Sequence, residues 1–213
     1  MILRAIIFDM DGVLVDSETA IEAGLRVILR ETHGFELTPD IFQQFFIGRT
    51  HQEGYTAFQE AYPDINVPLV REKSLGKYQE LIGKEITLFP QAHETMQRAL
   101  SVAALALATS SQRWQLEALD EEFGFLKHFS VVVSSDDITH SKPHPEIYQK
   151  TIERLAIPVE DCLAIEDTVA GVQSAKAAGL ACWAVTHTTA REKLSAADAV
   201  FDSLEQLNFD SLT

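Results

Sequence analysis

The chain has 213 residues, 46% of them apolar and 23% charged, which is ordinary for a folded globular protein. A formal net charge of -15 gives a surface that repels nucleic acid and acidic membranes, so we expect neither as a partner. No stretch reaches the ~18 apolar residues that a membrane span needs. The two cysteines lie in apolar stretches and are typical of buried reduced thiols, which favours a cytoplasmic protein.

The first predicted element is a strand at residues 2–8, a short apolar run of the kind that is buried on both faces of a sheet. Ser17 can cap the helix that follows, and helical spacing of apolar residues continues through three more segments. These predicted helices are at 17–33, 39–46, 50–61 and 67–82.

Beyond residue 84, strand and helix patterns alternate, which favours a parallel sheet covered by helices on both faces. The predicted strands are 103–108, 130–133, 162–165, 182–185 and 199–201. The predicted helices are 91–101, 112–121, 145–156, 169–178 and 203–207. The sequence therefore predicts an α/β core, residues 1–16 and 85–213, with a helical insertion at residues 17–84.

Pairs of acidic residues follow two of the predicted core strands. Asp9 and Asp11 end the first strand, and side chains two residues apart on a strand point the same way. The tight turn that an Asp-Gly pair favours would explain Asp11 but not Asp9. Glu166 and Asp167 follow another apolar strand, where helix capping is the alternative interpretation. In an open parallel sheet, ligands bind at the edge where the carboxyl ends of the strands lie. We therefore expect the four carboxylates to lie together at that edge.

Two further polar segments are predicted to reach the same edge. Thr109, Ser110 and Ser111 follow a core strand, where hydroxyls and free N–H groups can cradle an anion or can cap a helix. Lys142 precedes a proline at the entrance of a helix, with a solvated surface lysine as the alternative. Crowded carboxylates need a cation, and oxygen ligands without a nearby histidine or thiolate favour Mg²⁺.

A magnesium ion beside a lysine and an anion cradle suits phosphoryl transfer. In this hypothesis Asp9 attacks phosphorus and forms an aspartyl-phosphate. Asp11 protonates the leaving alkoxide and then takes a proton from the water that hydrolyses the intermediate.

Four segments of the chain resemble the four motifs of the haloacid dehalogenase-like (HAD) hydrolase superfamily. In chain order they are D-M-D-G-V-L-V-D-S-E, A-T-S-S, S-K-P-H-P-E-I-Y and I-E-D-T-V-A-G-V. The helical insertion resembles the cap of the β-phosphoglucomutase-like branch. The resemblance implies a Rossmann-like parallel-sheet core with an inserted α-helical cap domain, which closes on linkers near residues 15–18 and 86–90.

The resemblance also implies a phosphoric monoester hydrolase, a Mg²⁺-dependent phosphatase of small phosphorylated metabolites such as sugar or polyol phosphates. Its catalytic residues would be Asp9 as nucleophile, Asp11 as general acid and base, Thr109 on the phosphoryl group and Lys142 bridging nucleophile and phosphate. Ser110 would hold the phosphoryl group through its backbone N–H.

The same resemblance implies the remaining site residues. The metal ligands would be Asp9, Asp11 through its backbone carbonyl, Asp167 and Glu166, the last directly or through water. Ser111 would join the phosphate cradle. In the cap, the G-R segment places Arg49 where it could bind a second anionic group or sugar hydroxyls, with a surface salt bridge as the alternative.

Three other functions fit the sequence less well than hydrolysis does. Sugar phosphomutases of this branch have a histidine in the first cap helix where this chain has Ile21, which favours plain hydrolysis. A phospho-accepting receiver module also uses Asp, Thr or Ser and Lys on a parallel sheet, but is much shorter and has no helical insertion. Dehalogenases lack the second aspartate, so Asp11 argues against that chemistry.

We expect a monomer or weak homodimer.

Overall fold

The computed structural model describes residues 3–47 and 51–209. The strands are β1 (Ala5–Phe8), β2 (Val15–Asp16), β3 (Thr87–Leu88), β4 (Ala104–Ala108), β5 (Val131–Val133), β6 (Cys162–Glu166), β7 (Ala181–Val185) and β8 (Ala199–Phe201). The helices are α1 (Glu18–His33), α2 (Pro39–Phe46), α3 (His51–Ala61), α4 (Val67–Leu81), α5 (Ala92–Leu100), α6 (Arg113–Phe123), α7 (Glu146–Leu155) and α8 (Val169–Ala177).

Six strands form one parallel sheet in the order β5-β4-β1-β6-β7-β8. The chain builds β4 and β5 on one side of β1, then crosses back to build β6, β7 and β8 on the other. The strand order therefore reverses at β1, and the crevice beside its carboxyl end is the usual ligand site of such sheets. The predicted Rossmann-like α/β core is confirmed.

The side chains of β1 alternate between two hydrophobic clusters, one on each face of the sheet. Ile6 and Phe8 belong to the cluster that also holds residues of α5 and α6. Ala5 and Ile7 belong to the cluster that holds residues of α7 and α8. All four are fully buried, because helices cover both faces, and this explains why the strand reads as an unbroken apolar run.

The four helices α1 to α4 are inserted between β2 and β3 and have an aromatic core of their own. Phe45 packs edge-on against Phe58, with ring centroids 5.6 Å apart. The two linkers of this insertion pair as a short antiparallel ribbon, with Val15 opposite Leu88. The ribbon lies in the segments that the sequence predicts as cap linkers, and it is too short to be recognised from a pattern.

Several predicted elements need correction. The segment 203–207 is not an α-helix but a single 3-10 turn, Leu204–Gln206. Ser17 precedes α1 but does not cap it, because its hydroxyl is turned toward Asp11. The first strand begins at Ala5, later than predicted. Across residues 3–47 and 51–209, no helix combines the length and apolar character needed to cross a membrane.

Candidate active site

The predicted polar residues converge at the carboxyl end of the sheet. Asp9 follows β1, Thr109 follows β4 and Asp167 follows β6, and these three strands are adjacent in the sheet. The three side chains are buried, as is the carboxylate of Glu166, although carboxylates usually lie at protein surfaces. The edge at which the strand order reverses therefore holds an acidic, water-poor pocket.

Lys142 joins the strand ends from the loop before α7. Its Nζ donates to Asp9 Oδ1 at 2.7 Å, to Glu166 Oε1 at 2.6 Å and to the carbonyl of Ala108 at 3.3 Å. Burial alone would lower the pKa of Lys142, but the charges of Asp9 and Glu166 outweigh it and hold that pKa above its usual value. Lys142 is therefore a permanent cation between two carboxylates, and the surface alternative is wrong.

Hydrogen bonds reach both carboxylate oxygens of Glu166. Besides Lys142, its Oε1 accepts from the hydroxyl of Tyr148 at 2.7 Å, and its Oε2 accepts from the backbone N–H of Asp167 at 3.1 Å. A Cβ at Gly171 would meet the Glu166 carboxylate at 2.0 Å, so a glycine in α8 makes room for it. With Lys142 and Tyr148 on one oxygen, Glu166 orients the lysine as well as adding negative charge.

Asp9, Glu166 and Asp167 bring one carboxylate oxygen each within 4.8 Å of one another. Burial first, then the neighbouring carboxylates, raise the pKa of Asp167 well above its usual range. Oδ2 of Asp167 accepts a hydrogen bond from the hydroxyl of Thr188. Within the described residues, Oδ1 of Asp167 is buried and accepts none. An unsatisfied buried oxygen beside two more carboxylates fits a hard cation such as Mg²⁺.

Asp11 is held by two serines. Ser17 donates to its Oδ1 at 2.5 Å and Ser111 donates to its Oδ2 at 2.6 Å. Burial raises the pKa of Asp11 despite these two hydrogen bonds, which suits a carboxyl that must carry a proton part of the time. The following residue, Gly12, has a φ of 82°, and a Cβ there would lie 2.0 Å from Asp167 Oδ2. The first motif and Asp167 are therefore in contact at a position that only glycine can occupy.

The predicted anion cradle lies beside these carboxylates. Thr109 is fully buried and its Oγ1 accepts from the backbone N–H of Ser111 at 3.0 Å. Ser110 lines the cavity above the site. The hydroxyl of Ser111 is directed to Asp11, so its side chain positions that carboxylate. Arg49 lies outside the described residues.

A cavity of about 170 Å³ opens above these groups. Its floor includes Asp9, Asp11 and Lys142, and its other walls come from all four helices of the insertion and from Trp114 and Gln115 of α6. A ligand that reached the carboxylates would therefore be enclosed by both parts of the chain.

The sequence pattern of the haloacid dehalogenase-like hydrolases matches residues 6–185, a range that contains all four motifs. The chain belongs to this family. A phosphorylated carbohydrates phosphatase from Thermotoga maritima is 36% identical over 187 residues, which are 84% of this chain and 82% of that protein. The protein CbbY from Rhodobacter capsulatus is 30% identical over 205 residues, 84% of each chain.

The fold of this HAD hydrolase is also found among solved structures. That of CbbY from Rhodobacter sphaeroides in complex with phosphate is 24% identical and covers 97% of this chain and 96% of its own, with a TM-score of 0.83. Relatives from several organisms are named phosphatases. The predicted family and the predicted enzyme class are confirmed.

Residue patterns alone missed four members of this HAD site. Ser17 has the signature of a helix cap, and Tyr148 that of a core aromatic in α7. Thr188 and His187 follow β7, and nothing in their neighbourhood marks them. Thr188 reaches Asp167, and Nδ1 of His187 lies 2.9 Å from the carbonyl of Gly12. Only the position after a parallel strand of the same sheet could have drawn attention to this loop.

Proposed function

We propose that the protein is a Mg²⁺-dependent phosphatase that hydrolyses small phosphorylated metabolites, sugar or polyol phosphates, through an aspartyl-phosphate. The observation that carries the proposal is the contact of Asp9 with Lys142 in a buried acidic pocket that opens into a cavity. The 36% identical relative that is named for phosphorylated carbohydrates supports the substrate class. We keep the proposed division into a core, residues 1–16 and 85–213, and a cap, residues 17–84.

In this proposal Asp9 is the nucleophile. Lys142 donates to one of its oxygens, which fixes the direction of the carboxylate and offsets the repulsion between it and an incoming phosphate. The backbone N–H of Ser110 and the hydroxyl of Thr109 receive the phosphoryl oxygens. The bond from phosphorus to the leaving oxygen breaks as the bond from phosphorus to Asp9 forms.

Asp11 moves the proton. Its carboxyl gives a proton to the leaving alkoxide, and the carboxylate then takes one from the water that attacks the aspartyl-phosphate. The two serines on Asp11 keep it aimed into the cavity through both steps. Burial raises the pKa of Asp11, which favours the protonated form that the first step needs.

The ion would be held by Asp9, Asp167, the backbone carbonyl of Asp11 and Glu166, directly or through water. When bound there, Mg²⁺ supplies positive charge that neutralises the carboxylates and the phosphoryl oxygens. Oδ1 of Asp167 is buried and accepts no hydrogen bond from the residues that the structure describes, which supports this ligand set.

Hydrolysis is favoured over phosphomutase chemistry because Ile21 lines the cavity. An apolar side chain there cannot exchange protons with a sugar hydroxyl that is to be phosphorylated. A receiver-type signalling module is disfavoured because its bound phosphate needs no enclosing cavity. We further propose a cytoplasmic monomer or weak homodimer that binds neither nucleic acid nor membranes, on the basis of its net charge of -15.

The test is hydrolysis of p-nitrophenyl phosphate by the full chain. Asp9→Asn should abolish turnover and phosphate incorporation while the circular dichroism spectrum is unchanged, whereas Asp40→Asn, at an exposed position, should keep both activities. EDTA should stop the wild-type reaction and Mg²⁺ restore it. Turnover by Asp9→Asn, or full activity in EDTA, would refute the proposal. Release of free phosphate from sugar phosphates separates hydrolysis from isomerisation.

A further inference from the structure

The cap side of the cavity is lined by apolar side chains that the core of the cap covers only in part. Ile21, Phe46 and Ile47 are half-buried, and Leu75 is 39% exposed. We call these four residues the apolar wall. They come from α1, from α2 and the residue after it, and from α4, so three separate segments present hydrocarbon to one space. Together the four side chains form an apolar surface over the candidate reaction site, which is typical of a ligand-binding groove.

Glu18 of α1 also lines the cavity, close to Asp11 and Asp167 on the floor side. The polar groups nearer the apolar wall have partners within the cap. The hydroxyl of Tyr55 donates to Ser74 Oγ at 3.1 Å, and Ser74 donates to a backbone carbonyl of its own helix at 2.8 Å. Nζ of Lys77 donates to Glu80 at 3.3 Å. A ring of sugar hydroxyls placed against the apolar wall would therefore lose its hydrogen bonds to water. In the described part of the cap it would gain only contacts with hydrocarbon.

The floor and the wall of the cavity thus have opposite characters. The floor, with Asp9 and Lys142, takes the phosphate. The wall faces whatever the phosphate is attached to. The volume of about 170 Å³ is similar to that of an apolar cavity that accepts a benzene-sized group.

We infer that the apolar wall is a substrate-binding subsite for a compact alkyl, aryl or deoxygenated face of the alcohol. Among small phosphate monoesters, the enzyme prefers those whose alcohol part presents such a face over those that are hydroxylated all round. The inference rests on the proposed phosphatase reaction, but it replaces sugars and polyols that are hydroxylated all round by alcohols with an apolar face as the preferred substrates. Burial of hydrocarbon favours the first group, and loss of hydration at unpaired hydroxyls penalises the second.

The test compares cyclohexylmethyl phosphate with glucose 6-phosphate, two esters of primary alcohols that carry a six-membered ring of similar size. We expect kcat/KM to be at least ~10-fold higher for the cyclohexyl ester, in the range that apolar pockets give. Leu75→Asn should reduce this ratio at least 5-fold. The matched control is Val27→Asn, since Val27 is also an exposed apolar residue of the cap, at 38%, but does not line the cavity. It should keep the wild-type ratio.

Equal values for the two esters, or a preference for glucose 6-phosphate, would overturn the inference while leaving the phosphatase proposal intact. Equal effects of Leu75→Asn and Val27→Asn would also overturn it. Failure of both esters to react would instead count against the phosphatase proposal. The subsite is then tested by calorimetry with the non-hydrolysable cyclohexylmethyl phosphonate, whose binding should show a negative heat-capacity change that Leu75→Asn reduces. Absence of binding there would overturn the subsite as well.

Discussion

Nζ of Lys142 lies 2.7 Å from Oδ1 of Asp9, although 133 positions separate the two residues in the chain. The lysine side chain is 3% exposed and that of Asp9 10% exposed, so water screens this pair very little. Glu166, on the other side of the lysine, is fully buried. One cation therefore holds two buried carboxylates in place, and the arrangement of the site depends on it.

Replacing Lys142 by Met tests this dependence. Asp9 and Glu166 would face each other without a cation, which costs about 3–5 kcal/mol in the free energy of unfolding. Turnover should fall at least 100-fold, because the nucleophile loses its orientation and the phosphate its nearest side-chain cation. Urea unfolding at pH 7 measures the first effect. Lys84→Met, at an exposed position, should change the free energy of unfolding by less than about 0.5 kcal/mol. Equal stability of the two variants would contradict the prediction.

Binding of Mg²⁺ should be linked to release of protons. Burial first, then nearby carboxylates, raise the pKa of Asp9 to about 8 against the lowering effect of Lys142, and burial also raises that of Asp167. With a pKa of about 8, Asp9 holds a proton at pH 6 to 7 that the ion must displace, and the raised pKa of Asp167 acts in the same direction. Affinity for Mg²⁺ should therefore rise as pH increases toward about 8. Asp167→Asn should weaken binding at least 10-fold.

Calorimetry in two buffers with different ionisation enthalpies measures that release. The apparent binding enthalpy should differ between the buffers at pH 6.5, and the difference should shrink at pH 8.5. Identical enthalpies at pH 6.5 would show that no protons leave and would remove the basis of this prediction.

The sheet and the main site residues are predictable because their signals are local. A strand that is covered on both faces reads as an apolar run, and a polar residue directly after it is conspicuous. Asp9, Thr109 and Asp167 all follow such runs. The edge at which they meet then follows from the rule for parallel sheets.

The residues that hold the site are less predictable because their partners are far away in the chain. Tyr148 packs among apolar residues, and only its hydroxyl reaches Glu166. Ser17 has the sequence position of a helix cap, yet its hydroxyl donates a hydrogen bond to Asp11 instead. A single hydrogen bond between distant residues leaves no periodic pattern in the sequence. Such contacts can therefore be identified only from the structure.

Gly12 should tolerate no side chain. Its positive φ is strained for other residues, and an added Cβ would lie 2.0 Å from Asp167 Oδ2, so Gly12→Ala must displace either the first motif or the carboxylate. Activity should fall at least 100-fold with loss of Mg²⁺ affinity. Gly76→Ala, within α4 where a Cβ would have no heavy atom of the described residues within 4 Å, should instead raise stability by about 0.5–1 kcal/mol. Activity of Gly12→Ala close to wild type would show that the loop adapts.

Asp137 offers a test of electrostatic stabilisation away from the site. Arg154 Nη2 donates to its Oδ1 at 2.7 Å, and the backbone N–H of Ser134 donates to its Oδ2 at 2.9 Å. Partial burial would raise the pKa of Asp137, but these donors outweigh it and lower the pKa to about 2. Because the unfolded value is near 3.8, the stabilisation is complete above about pH 4 and is lost as pH falls toward 2.

Asp137→Asn should therefore lower the free energy of unfolding at pH 7 by about 1–2 kcal/mol, a value reduced for the solvent that reaches the pair. The difference from wild type should shrink steadily between pH 4 and pH 2, since protonation removes the same charge from the wild-type side chain. Asp64→Asn, at an exposed position, should follow the wild-type curve throughout. If the difference in the free energy of unfolding between Asp137→Asn and wild type stays constant with pH, packing and not charge accounts for the stabilisation by Asp137.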